Sequence, residues 1–258
     1  MKKLVEYGVP GWLVSLIESY LKNRGQCTEV SYNDGKTVRE HRSGTRVTVT
    51  GVPQGSILGP FLYIVYGNNF TLMENVFACM YADDTSGLCW ANSMLILKAV
   101  LTNFAEMACK YFSDLDLKVN LSKTDLVNFG IGYNVPNLSI VCDDVTFDSH
   151  DFCKFLGIFI DKNFTWHKHI DHVSSKLISG IYLLRRLANY LDSDTLRMVY
   201  FGVFYPYLSY GLVMWGGTFH TYTNRIFLLQ KRALRTVAKV SPRTSCRDIF
   251  VKFNVLTL

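Results

Sequence analysis

Residues 47–73 and 198–224 of this 258-residue chain contain no Asp, Glu, Lys or Arg. Each stretch exceeds the roughly 20 apolar residues that cross a bilayer, so each must be buried, in protein or in lipid. The first contains Pro53, Pro60 and four glycines, together with Gln54, Asn68 and Asn69. The second contains Pro206, four glycines and five tyrosines. These interruptions favour buried elements of a soluble fold over membrane spans. The reading therefore expects no membrane, and keeps a membrane protein only as a third alternative.

The rest of the composition agrees. With 49% hydrophobic and 19% charged residues, the chain can bury a core, which excludes a disordered or low-complexity protein. Charge is unevenly placed. Residues 163–258 carry 13 Lys/Arg against 4 Asp/Glu, a net +9, and residues 1–162 carry 14 against 17, a net −3. A basic rear suits a polyanion partner and an acidic front leaves room for carboxylate chemistry. The seven cysteines form no C-x-x-C pair and read as reduced intracellular thiols. The start, Met1 to Gly8, has Glu6 and no apolar run, so it does not read as a signal peptide. An intracellular location, nucleus or cytoplasm, is expected.

Periodicity predicts helices over 12–21 and 94–115, and one from 57 towards 70, capped by Ser56. That last helix is uncharged all round and is expected to be buried. Strands are expected over 26–32 and 45–50, with Asn33-Asp34-Gly35 as a turn signal. Strand, tight turn and strand are expected over 77–90, then short strands near 126–129, 138–141 and 155–160. After Asp161 the pattern is helical, roughly 167–191, 193–214 and 222–239. The fold class is α+β, with a domain boundary near residue 162.

The sharpest chemical feature is Asp83-Asp84, set between two apolar strands. Successive strand side chains point to opposite faces, so one carboxylate can face a cleft while the other supports it. Hard oxygens suit Mg²⁺, which takes one or two carboxylates plus substrate phosphates. On the dipeptide alone, a polar turn is the favoured reading. Gly51-Val52-Pro53-Gln54-Gly55-Ser56 adds two glycines that permit close backbone approach, and an amide that both donates and accepts. A plain Gly/Pro loop with a helix cap is the alternative there.

Together these residues resemble the reverse transcriptases of non-LTR (LINE, jockey-like) retrotransposons. The segment from Gly51 to Pro60 resembles their template- and nucleotide-contacting motif, and Tyr81-Ala82-Asp83-Asp84 their catalytic motif. Tyr7-Gly8, Ser19-Tyr20-Leu21, Asn23-Arg24 and Gln26 resemble the stretch before the glycine motif. Asn120, Lys123, Thr124 and Phe129 match the next motif, and Phe155-Leu156-Gly157 with Asp161 the primer-grip hairpin. Trp166, His169 and Ile170 match the start of the thumb, and Tyr210-Gly211 with Trp215 a later thumb helix.

The resemblance implies a partial polymerase palm over 1–162, an antiparallel sheet backed by helices, and an all-helical thumb over 163–258. It implies RNA-directed DNA synthesis by two-metal catalysis with Mg²⁺. The partners would be an RNA template, a DNA primer and deoxynucleoside triphosphates. Asp83 and Asp84 become metal ligands and catalytic residues. Gly51, Gln54, Gly55 and Tyr81 would contact nucleotide and template. Phe155, Leu156 and Gly157 would grip the primer. Lys123 would give a proton or a charge to leaving pyrophosphate, a solvated surface lysine being the alternative.

The family also uses a further aspartate, on a strand ahead of Tyr7-Gly8, that bridges both metals. No later aspartate here stands in an equivalent context, and the fingers are not represented. These residues alone are therefore expected to be inactive, and the rival reading is a non-catalytic nucleic-acid-binding remnant of a decayed element. A lesser departure is Asn68-Asn69, where the family more often has Asn-Asp. In the tail, Arg225, Arg232 and Lys239 recur every seven residues, while Ile226, Leu229, Ala233 and Val237 supply an apolar side. One basic stripe on a helix suits backbone tracking along a duplex, and a solvated helix face is the alternative. His167, His169 and His172 have no cysteine close by and no zinc-motif spacing.

Overall fold

Chain direction in this computed structural model is set first by caps and turns. The residues described are 1–33, 35, 37–48, 50–68, 70, 73–130, 136–142 and 145–258, so Asp34 of the expected turn and Asn69 lie outside them. The chain forms two compact units, Met1–Asn120 and Leu121–Leu258.

In the first unit the order is α1 (Lys2–Glu6), α2 (Gly11–Leu21), β1 (Arg24–Gln26), β2 (Glu29–Asn33), β3 (Val38–Arg42) and β4 (Arg46–Thr48). Then come α3 (Leu58–Gly67), β5 (Val76–Tyr81), β6 (Asp84–Cys89) and α4 (Met94–Asp114). Asn23 leaves α2 at φ 56, a left-handed conformation that Asn tolerates. Ser93 caps α4 by accepting from the Ile96 N–H at 3.3 Å. β1 pairs with β4, β2 with β3 and β5 with β6, all antiparallel. Strand 38–42 was not expected from the sequence.

In the second unit the strands are β7 (Ser139–Cys142), β8 (Val145–Asp148), β9 (Phe152–Phe155) and β10 (Ile158–Asp161). The helices are α5 (His167–Leu187), α6 (Ser193–Val199), α7 (Tyr205–Ser209), α8 (Leu212–Trp215), α9 (His220–Val237) and α10 (Arg247–Lys252). The α+β class holds. Among the described residues the strands pair only in twos, so the antiparallel sheet expected of the front is a set of separate ribbons.

Three local expectations are corrected. Residues 126–129 form no strand; Leu126 makes one isolated bridge to Ser149. Residues 155–160 are a hairpin tip and not one strand, because Leu156 and Gly157 both take positive φ. The helix over 193–214 is broken. Pro206 has no N–H to give the carbonyl one turn back, and its ring crowds that carbonyl. The chain responds with a π-helical segment, Tyr200–Phe204, in which the Tyr205 N–H reaches the Tyr200 carbonyl.

The core of the second unit follows from α5, where Ile170, Val173, Leu177, Ile181 and Leu184 form one buried stripe. Tyr200, Phe204, Trp215, Ile226 and Leu234 pack against it, all fully buried. Gly180 lies where a Cβ would stand 3.3 Å from Phe204, so helix and π segment meet closely. Three polar side chains are buried with it among the described residues: His169, Ser174 and Gln230. Gln230 gives its amide N–H to the Leu256 carbonyl at 2.9 Å and accepts the Leu258 N–H at 3.1 Å. His169, 2% exposed, accepts the Phe159 N–H on Nδ1 at 3.4 Å, and its Nε2 has no partner.

Two outcomes follow. Gln230→Ala empties the space of a fully buried side chain and takes the partner from the Leu256 carbonyl and the Leu258 N–H, and should cost about 2–3 kcal/mol in urea unfolding. Burial, then the neighbouring His172 charge, lowers the His169 pKa from 6.5 to about 4. The folded state thus keeps His169 neutral while the unfolded chain takes up its proton. Stability is full above pH 6.5 and should fall by roughly 1.4 kcal/mol per unit towards about pH 4. His169→Gln should flatten most of that slope in urea midpoints measured against pH.

Candidate active site

The paired carboxylates sit at the end of a hairpin with a two-residue loop. Tyr81 pairs with Asp84, leaving Ala82 and Asp83 as the loop. Ala82 takes φ 52, and positive φ at the first loop residue is the pattern of a type II′ turn. Asp83 therefore projects from the tip and Asp84 opens β6. Both are exposed, as is Tyr81 at 65%. Adjacent carboxylates on a rigid tip offer hard oxygen donors that fit Mg²⁺. Among the described residues, no group of three or more His, Cys, Asp or Glu could hold a metal.

The tip is braced from two sides. α4 lies on β6 through Phe104, whose ring would stand 2.3 Å from a Cβ on Gly87, so only glycine fits there. α3 approaches through Gly67, where a Cβ would stand 3.2 Å from the Met80 methyl. Tyr111 of α4 donates to the Gly67 carbonyl at 2.9 Å, and Tyr66 of α3 donates to the Leu115 carbonyl at 2.6 Å. Phe70 closes the gap against Phe104, Tyr111 and Phe112, with centroids 5.1–6.0 Å apart.

Sequence reasoning missed Tyr63 of α3. Burial, and secondarily the negative charge of Asp83, raise its pKa above 10.0, which places the phenol within electrostatic reach of the carboxylate. Tyr63 lies four residues from both Gly59 and Gly67, and that i, i+4 row was the available signal.

The glycine motif leads into α3. Gly51 and Gly55 take φ 82 and 78, and Gln54 is exposed between them. Ser56 Oγ accepts the Gly59 N–H at 3.0 Å and donates to the Pro53 carbonyl at 2.8 Å, so the expected cap forms. The expected burial of α3 does not. Only Gly59, Leu62 and Gly67 are buried, whereas Ile57 is 95% and Ile64 62% exposed. Leu62 packs with Leu4 and Ile17 on one side of the helix, and a ten-residue helix with one packed side leaves the other apolar side outward.

The remaining candidates lie in the second unit. Lys123 ends a 3₁₀ turn, Leu121–Lys123, and is exposed. The tip Leu156-Gly157 has φ 45 and 86, the pattern of a type I′ turn. Tyr210 holds it by donating to the Leu156 carbonyl at 2.5 Å, and Trp215 Nε1 donates to the Tyr210 carbonyl at 2.9 Å. Gly211 allows this approach, since a Cβ would stand 2.4 Å from Ile158 Cδ1. Phe155, before the turn, is 36% exposed.

On α9, Arg225 and Arg232 are exposed, but Arg225 is paired with Asp171 at 2.6 Å. Lys239 lies past the helix end at φ 54, so the seven-residue row does not continue as a helix. The three histidines diverge: His167 faces Asp171 at 3.5 Å, His169 enters the core and His172 meets Phe159.

Comparison with known proteins adds a second line of observation. The family model described as reverse transcriptase (RNA-dependent DNA polymerase) matches residues 1–160. The chain is 26% identical over 256 residues to the RNA-directed DNA polymerase from mobile element jockey of Drosophila melanogaster, covering 93% of this chain and 26% of that protein. It is 30% identical over 244 residues to the "Probable RNA-directed DNA polymerase from transposon BS" of the same species, covering 88% and 26%. The jockey polymerase of Drosophila funebris is 28% identical over 229 residues, covering 81% and 24%. The chain thus spans about a quarter of the length of the curated relatives it matches. No solved structure matches it. Among the described residues no helix is long and apolar enough to cross a membrane.

The brace on the tip is directly testable. Gly87→Ala should displace Phe104 and destabilise the chain by about 1–3 kcal/mol. Phe104→Ala in the same chain should make the Gly87 change nearly neutral, read as a double-mutant cycle in urea.

Proposed function

The chain belongs to the reverse transcriptase family, and on that footing we propose that it is the palm and thumb portion of a non-LTR retrotransposon polymerase that copies RNA into DNA. Residues 1–162 serve as palm and 163–258 as thumb. The observation that carries the reading is the Ala82-Asp83 tip, which presents two adjacent carboxylates on a braced hairpin beside Tyr63.

Asp83 and Asp84 would hold Mg²⁺, which when bound lowers the pKa of the primer hydroxyl and neutralises the leaving pyrophosphate. The protein side chains do the positioning. Tyr81, Gly51, Gln54 and Gly55 meet the incoming nucleotide and template. At these glycines no side chain blocks the approach of a base pair, and Gln54 gives one donor and one acceptor. The tip of Phe155, Leu156 and Gly157 sets the primer end, held by Tyr210. Lys123 gives a proton or charge to pyrophosphate. On α9, Arg232 follows the duplex backbone without reading sequence, while Arg225 is shared with Asp171 and Lys239 stands past the helix end.

Two carboxylates supply only part of a two-metal site. The 258 residues by themselves are therefore proposed to be inactive, with activity requiring a further carboxylate from adjoining sequence. The test is primer extension on an RNA template with Mg²⁺. Residues 1–258 should show none, and a longer form that supplies a further aspartate ahead of Tyr7 should show it. Asp83→Asn in the longer form should lower the rate by at least about 100-fold, by analogy with other preorganised charge stabilisers. Salt-sensitive hybrid binding with no extension in either form would favour the non-catalytic remnant.

A further inference from the structure

Six side chains of the second unit gather on one face of the β9–β10 hairpin and α5. They are Phe152 and Lys154 of β9, Phe159 of β10, and Lys168, His172 and Lys176 of α5. Residues 168, 172 and 176 recur every four positions, so they form one row along the helix, about 6 Å apart. The strand register sets Lys154 opposite Phe159. Lys154 Nζ lies 5.8 Å from the Phe159 centroid and Lys168 Nζ 4.8 Å from that of Phe152. The Phe159 and His172 rings are 5.1 Å apart.

The lysines are exposed, and among the described residues none of the three is in an ion pair. The nearest acids in sequence are engaged elsewhere: Asp151 with Lys162 at 2.6 Å, and Asp171 with Arg225 at 2.6 Å. Lys154 and Phe152 also line a hollow shared with Asp125, His150 and Asp151. Like charges gathered over an aromatic floor, with no acid in an ion pair to any of the three lysines, are complementary to an anion whose charges also run in a row.

We propose that Lys154, Lys168 and Lys176, arranged around His172, form a phosphodiester-backbone site for nucleic acid, separate from the α9 row. The inference rests on the polymerase reading for the identity of the polyanion. It also carries a signature that a plain basic patch lacks. Burial, then the charges of Lys176 and Lys154, hold His172 below its ordinary pKa. His169, on the core side of the same helix, stays neutral near pH 7. A phosphate over the lysines offsets their repulsion and favours the imidazolium, so binding takes up a proton and tightens as pH falls.

The experiment uses the 258-residue chain and a short fluorescein-labelled RNA–DNA hybrid, read by anisotropy at fixed ionic strength, with circular dichroism as the check on folding. Lys168→Gln and Lys176→Gln should each weaken binding several-fold and reduce the salt slope by about one. Wild type should gain affinity as pH falls from about 8 to about 6, and His172→Gln should lose that gain. In NMR titration, the His172 pKa should rise on adding the hybrid, and also in Lys176→Gln without it. Unchanged salt slopes in both lysine variants, or a wild-type pH profile in His172→Gln, overturns the site. Failure of the polymerase reading looks different: the longer form then lacks primer extension whatever the hybrid binding does.

Discussion

The carboxylate of Asp161 turns a β-hairpin into a helical body. Its Oδ2 accepts the Trp166 N–H at 2.7 Å, and its Oδ1 accepts from the Thr165 N–H at 2.9 Å, the Thr165 hydroxyl at 3.1 Å and the Asn163 N–H at 3.3 Å. Those donors are what a helix start and a tight loop leave unpaired, and one charged acceptor satisfies them together. Trp166 pays for the turn with φ 63, and its ring is then buried beside His169. Because α5 supplies the stripe on which the remaining helices pack, its direction relative to β10 decides where that whole core can form.

Much of this arrangement was legible in the sequence, and for a common physical reason. The Asp-Asp hairpin, the Ser56 cap, the glycine loop and the long helices α4 and α5 are each determined by residues close in the chain. What escaped was decided by distant partners. Tyr63 feels the Asp83 charge only because α3 approaches the β5–β6 hairpin. Arg225 reads as a free cation in any helical projection, yet Asp171, fifty-four residues earlier, holds it. Absence of charge predicts burial only when every face of a helix has a neighbour, and α3 has neighbours on one face. The break at Tyr200–Phe204 was signalled by Pro206, but a smooth apolar pattern outweighed one residue.

Both candidate tips put a side chain where glycine would be easier. Ala82 at φ 52 and Leu156 at φ 45 each hold a left-handed conformation that costs on the order of 1 kcal/mol or more. In each case the surroundings compensate. The Ala82 tip is held between α3 and α4, and the Leu156 carbonyl is held by Tyr210. A bent backbone fixed by its neighbours leaves a tip little freedom to relax, which is what positioning of a reacting group requires.

The two-residue loop between Tyr81 and Asp84 also limits how this sequence can vary over time. Strand side chains alternate with a period of two, so one inserted residue would invert every side chain of β6 relative to β5. Gly87 would leave the Phe104 ring, and its neighbour's bulk would arrive there instead. Point changes at Ala82 alter only the local backbone, whereas a single-codon insertion or deletion would unmake both the brace and the carboxylate pair. Lineages of this chain should therefore preserve the length of the tip more strictly than its letters.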